Sequence, residues 1–136
     1  MIVGVDFDGT IVSENYPNIG VEIPGALDTI KILRKRGHKV FLYTMRGHSK
    51  GRDVLQEAID WLWNRGIELD GINESPEQFS TSPKQYATLY IDDRQFNAPI
   101  RYWRGVKIYD WRPVADYLVE NGYISNLDYI QILKNF

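Results

Sequence analysis

The strongest constraint on this chain is an alternation of short apolar runs with longer stretches of helical apolar spacing. Residues 2–5, 40–43, 88–91 and 106–109 are runs of the length and composition of buried strands, and residues 67–72 have room for a fifth. Between the first two runs, Ile23, Leu27, Ile30 and Leu33 recur at helical spacing. Pro24 suits the first turn of that helix and Gly37 its stop. Val54, Leu55, Ala58, Ile59 and Leu62 form a second stripe, closed by Gly66. Val114, Tyr117 and Leu118 mark a third helix, and Ser125 with Asp128 can cap a last one. Residues 10–23, broken by Pro17 and Gly20, read as a loop or small hairpin. Residues 73–83, polar and carrying Pro76 and Pro83, read as loop. The pattern predicts an α/β fold, a Rossmann-like three-layer sandwich with a mostly parallel five-stranded sheet.

Length and charge limit what such a fold can be used for. The 136 residues, 43% of them hydrophobic, suit one domain over 1–136 with a real core. No repeat, low-complexity stretch or long linker divides it. A net charge of −2 gives no field of the kind that nucleic acid or a membrane surface attracts. With no cysteine, disulfides, thiol catalysis and zinc–thiolate sites are excluded. No apolar run nears the ~18–20 residues of a membrane span, and the first residues lack the basic region of a signal peptide. A cytoplasmic location is the expectation.

In parallel sheets, ligands bind beyond the carboxyl ends of the strands. Asp6, Thr44 and the pair Asp92–Asp93 each directly follow a strand candidate. If those strands are neighbours, carboxylates and a hydroxyl converge on one crevice. Such a set suits a hard cation, and Mg²⁺ prefers oxygen ligands, waters and substrate phosphate. A dianionic phosphate ester needs positive charge to approach carboxylates, which metal and Lys84 could supply. Gly9 lets backbone N–H groups come close to an anion.

Asp6-Phe7-Asp8-Gly9-Thr10 resembles the first motif of the haloacid dehalogenase-like (HAD) phosphatases, hhhhDxDGT. Thr44, Lys84 and Asp92–Asp93 resemble the second, third and fourth motifs, in the family's order. The resemblance implies that Asp6 is a nucleophile forming an aspartyl-phosphate, and that Asp8 is the general acid and then base. It implies that Thr44 and the Met45 amide bind phosphoryl oxygens, and that Lys84 steadies the shared charge. Mg²⁺ would be held by Asp6, the backbone carbonyl of Asp8, Asp92 and Asp93. Asp at position 8 favours a hydrolase over the family's dehalogenases and ATPases.

The chain has no room for a cap domain, so residues 10–23 can form only a short flap, as in the capless HAD class. Tyr16 in that flap and Asn73 are candidate pocket walls, and Arg46 and Arg94 adjoin motif residues as candidate substrate ligands. His38 is expected to start a strand and His48 to face solvent. The aromatic residues from 102 onward, Trp111 and Tyr117 among them, are expected mainly in the core, with base stacking or a homo-oligomer interface as alternatives. A small-molecule phosphate ester such as a nucleotide or sugar phosphate is the first substrate class. A polynucleotide or phosphoprotein phosphatase, and a non-catalytic binding module, are the alternatives.

Overall fold

A computed structural model describes all residues, 1–136. Its elements in chain order are β1 (Ile2–Val5), α1 (Ala26–Lys35), β2 (Lys39–Leu42), β3 (His48–Ser49), β4 (Arg52–Asp53) and α2 (Val54–Trp63). They continue with β5 (Gly71–Ile72), β6 (Leu89–Ile91), β7 (Ile100–Trp103), β8 (Val106–Tyr109), α3 (Arg112–Glu120) and α4 (Asn126–Leu133). The fold is α/β, with β1, β2, β5 and β6 in one parallel sheet of order β5-β2-β1-β6. That arrangement is compatible with a Rossmann-like fold. No helix is long and apolar enough to cross a membrane.

The sheet has four strands, so the expectation of five is corrected. The run 106–109 is a strand, but it pairs antiparallel with residues 100–103 in a separate ribbon. Arg104 and Gly105 both take positive φ, 52° and 77°. Two such residues make a tight turn whose twist matches that of paired strands, which keeps the pairing local. The expected third strand shrinks to Gly71–Ile72. A second antiparallel ribbon joins β3 to β4.

The three-layer expectation is corrected as well. Registered neighbours in a parallel sheet share a face. Val3 with Val40, and Val5 with Leu42 and Ile91, lie on one face and join one buried cluster with residues of all four helices. Gly4, Phe41 and Tyr90 are registered on the opposite face. The connection from β5 to β6 contains no helix. Instead, residues 85 and 87 bond to Tyr90 on that side. The Tyr90 hydroxyl donates to the Gln85 carbonyl, and the Ala87 amide donates to the Tyr90 hydroxyl at 3.1 Å. The Phe41 ring lies over Gly4, where an added Cβ would meet it at 2.8 Å.

Local chemistry sets the helix ends. Pro24 and Gly25 precede α1 rather than opening it. Asp53 caps α2 by accepting from the Gln56 amide at 2.9 Å. Ser125 and Asp128 form the expected capping box at α4. Asp128 also receives the Arg36 guanidinium in two bonds of 2.8 Å, tying α4 to the end of α1. Hydrogen bonding to Arg36 holds the Asp128 carboxyl well below the usual carboxylate range.

Residues 10–23 leave β1 and return as a small hairpin. Ser13 donates to the Val21 carbonyl at 2.8 Å, and Ile23 donates to that of Ile11 at 2.9 Å. Of the late aromatics, Tyr109 and Trp111 are core, whereas Tyr102 and Tyr117 are exposed. The Trp111 indole N–H donates to the Thr10 carbonyl at 2.8 Å, clamping the turn after β1 to the start of α3. His38 directly precedes β2, where its ring bridges the Met1 amine and the Tyr123 carbonyl. Replacing the α4 cap, Ser125→Ala, is expected to lower unfolding free energy by about 1 kcal/mol. Urea unfolding should show a lower midpoint with an unchanged slope.

Candidate functional site

Asp6 follows the central strand β1, whose two neighbours end level with it. The Asp6 amide donates to the Ile91 carbonyl and the Tyr43 amide to that of Val5, both at 3.0 Å. The residues after β1 and β6 therefore emerge side by side. Asp6, Asp92 and Asp93 each present a ligand oxygen, and these oxygens lie within 4.8 Å of one another.

The turn after Asp6 is shaped around this cluster. Gly9 has φ of 84°, and an added Cβ would fall 2.3 Å from Oδ2 of Asp93. Both backbone conformation and space thus demand glycine. Thr10 is buried. Its hydroxyl accepts from the Asp93 amide at 3.0 Å and has Asp93 and Asp6 oxygens at 3.3 and 3.4 Å as alternative acceptors. The Tyr43 hydroxyl donates to Oδ2 of Asp92 at 2.7 Å. Burial and that hydrogen bond push the Tyr43 phenol far above its usual range. Sequence reasoning passed over Tyr43 because it looked like the last apolar residue of a strand. Its position directly before Thr44 was the available signal.

Burial, then the charge of Asp92 and the hydrogen bond with Asp93, push the Asp6 carboxyl up to about 8. Burial also raises Asp93. No Lys or Arg forms an ion pair with any of the three carboxylates. Hard oxygen donors, crowded and lacking an internal cation, fit Mg²⁺.

The other expected site residues are placed differently. The Asp8 side chain stands outside the carboxylate cluster and takes a bidentate pair of bonds from Arg46, at 2.7 and 2.8 Å. Arg46 is buried with its donors taken up inside the protein, so its expectation as a substrate ligand is corrected. The Thr44 hydroxyl accepts from the Arg46 amide at 3.2 Å, and the Thr44 amide donates to the Asn73 side chain at 2.7 Å. Asn73 thus supports the Thr44 backbone. Met45 projects fully into solvent. Tyr16, about half exposed, packs its ring 5.3 Å from the Arg46 guanidinium carbon.

Lys84 is exposed, and its ammonium lies 6.0 Å from the Tyr90 ring centre rather than on Asp6. It lines a cavity of about 470 Å³ with Tyr43, Tyr90 and Gln95. A second cavity, about 550 Å³, opens beside Gly9 and Asp93 and carries Arg94 and Lys107. A third cavity, about 590 Å³, lies by the start of α1 and contains none of the three carboxylates.

The carboxylate cluster makes metal-free stability depend on pH in a defined direction. Folded Asp6 keeps its proton up to about pH 8, while the unfolded chain loses it near 3.8. Across that window the folded state binds more protons, so stability falls as pH rises. In EDTA, Asp6→Asn is expected to flatten this slope and to be the more stable protein near pH 8, by an order of 1–3 kcal/mol. Thermal melts at several pH values, with and without Mg²⁺, check this. Mg²⁺ should restore the wild type most at high pH.

Comparison with protein-family models found no match, and comparison with curated proteins found none. Among solved structures, that of a conserved protein coded by a locus from Bacteroides thetaiotaomicron is similar. The two chains are 37% identical, with 94% of this chain and 95% of that one covered and a TM-score of 0.68. Identity at that level over nearly the whole of both chains means that this protein belongs to the same family as the conserved Bacteroides thetaiotaomicron protein.

Proposed function

We propose that this protein is a Mg²⁺-dependent phosphohydrolase of the HAD type, acting on small phosphate monoesters through an aspartyl-phosphate. The observation that carries the proposal is the meeting of Asp6, Asp92 and Asp93 oxygens within 4.8 Å at the ends of two adjacent parallel strands. Their side chains would hold the ion, together with the Asp8 backbone carbonyl. Bound there, Mg²⁺ supplies the positive charge that offsets the carboxylates and the phosphoryl oxygens.

An Asp6 carboxylate oxygen attacks phosphorus, and the bond from phosphorus to the ester oxygen breaks. Asp8 delivers a proton to the departing oxygen and then removes one from the water that hydrolyses the acyl phosphate, regenerating Asp6 and releasing phosphate. The Thr44 hydroxyl and the Met45 amide hold phosphoryl oxygens. The Asn73 bond to the Thr44 amide keeps that strand end in place. Lys84, which lines the neighbouring cavity with Tyr43, takes its expected role only if its side chain swings from Tyr90 toward Asp6. Arg94 and Lys107 are further cations beside Asp93. The flap over residues 10–23 is a small hairpin, and we take the domain as capless, with an open site suited to a small ester.

Phosphate release from a broad panel of esters, with Mg²⁺ and with EDTA, tests the proposal. Turnover is expected to require the metal and to fall by at least ~10³-fold in Asp6→Asn. A folded, Mg²⁺-loaded protein that releases no phosphate from small or polymeric esters would exclude a phosphohydrolase.

A further inference from the structure

Arg46 is the only basic side chain buried in the core, with 1% of its surface exposed. A guanidinium so placed must have its donors satisfied. All five are. Nε and Nη2 donate to the two Asp8 oxygens, at 2.8 and 2.7 Å. Nη1 donates to the Pro17 and Val54 carbonyls at 3.2 and 3.1 Å, and Nη2 also donates to the Asn18 carbonyl at 2.9 Å. The rings of Phe7 and Tyr16 lie 5.1 and 5.3 Å from the guanidinium carbon. One side chain thus joins the turn after β1, the flap and the first residue of α2. With no donor left over, it has nothing to offer a phosphate.

We infer that Arg46 is a positioning residue, which sets the plane of the Asp8 carboxylate and couples it to the flap. The inference rests on the phosphohydrolase proposed above, in which Asp8 transfers the proton. The planar fork of the guanidinium dictates how Asp8 is rotated, as a single ammonium point charge cannot. Because the same guanidinium holds Pro17 and Asn18, displacement of the flap loosens Asp8, and a seated flap aligns it. Arg46 acts through Asp8, and all of its donors are taken up within the protein.

Two esters separate this role from plain stability or substrate binding. p-Nitrophenyl phosphate has a leaving group that departs with little help from an acid. Glycerol phosphate expels an alkoxide that needs a proton. In Arg46→Lys, kcat/KM for glycerol phosphate is expected to fall by ~100-fold or more, and for p-nitrophenyl phosphate by less than ~10-fold. Equal losses on both esters, or a rise in KM alone, overturn the positioning role.

Hydrogen exchange in Asp8→Asn tests the coupling without turnover and without changing Arg46. The amides of Ser13 and Val21, which close the flap hairpin, are expected to exchange at least ~10-fold faster than in the wild type. Unchanged exchange overturns the coupling. A folded, Mg²⁺-loaded wild type that releases phosphate from no ester of the broad panel excludes the phosphohydrolase, and with it the acid role of Asp8, while the exchange result still decides the clamp.

Discussion

Parallel pairing of β1 with β6 forces three carboxylates together, and the rest of the site is arranged around that crowding. Backbone hydrogen bonding places Asp6 and the pair Asp92–Asp93 at one level, whatever the cost of their repulsion. Burial adds to the cost by removing water from the charges. Neighbouring residues reduce it in different ways. Thr10 donates its proton within the cluster and Tyr43 gives its own to Asp92. Gly9 leaves room for Asp93 to lie against the backbone. None of these brings a positive charge.

The one buried cation is used elsewhere. Arg46 lies two residues beyond Thr44, yet its charge is taken up by Asp8 and by carbonyls of the flap and α2. Asp6 and Asp8 therefore occupy different electrostatic surroundings. Asp6 sits among like charges, and Asp8 faces a guanidinium. Phe7 between them turns its side chain into the core, meeting the Trp61 ring edge-on at 5.8 Å, so that the two carboxylates are held apart by a fully buried anchor.

The scaffold supports this arrangement from one side. Helix residues and one sheet face share a single apolar cluster, which keeps the strand ends in register. The opposite face carries Phe41, Tyr43 and Tyr90, whose rings step toward Asp92, with the segment before β6 bonded along them. Much of this was legible beforehand. The apolar runs at residues 2–5, 40–43 and 88–91 lie within one residue of β1, β2 and β6, and the capping box stands where Ser125 and Asp128 suggested. The run 106–109 was misread as a strand of the parallel sheet because an apolar run shows that a strand forms and not which strand it pairs with. Arg104 and Gly105 supplied a nearer partner. The three-layer reading failed because residues 73–83, read as loop, supply no helix to cover the second face of the sheet.

The sequence by itself determined the four helices, the strands β1, β2, β6 and β8, and the acids that follow β1 and β6. Periodicity, capping residues and acids after apolar runs are local properties, readable wherever the physics acts over a few residues. Tertiary structure decided which side chains meet. It placed Tyr43 on Asp92, Arg46 on Asp8, and Lys84 beside Tyr90 rather than Asp6. These pairings depend on strand order, on the path of a flap and on which face a loop covers. Contacts across 38 or 49 positions of chain are set by packing of the whole core, which no local pattern encodes.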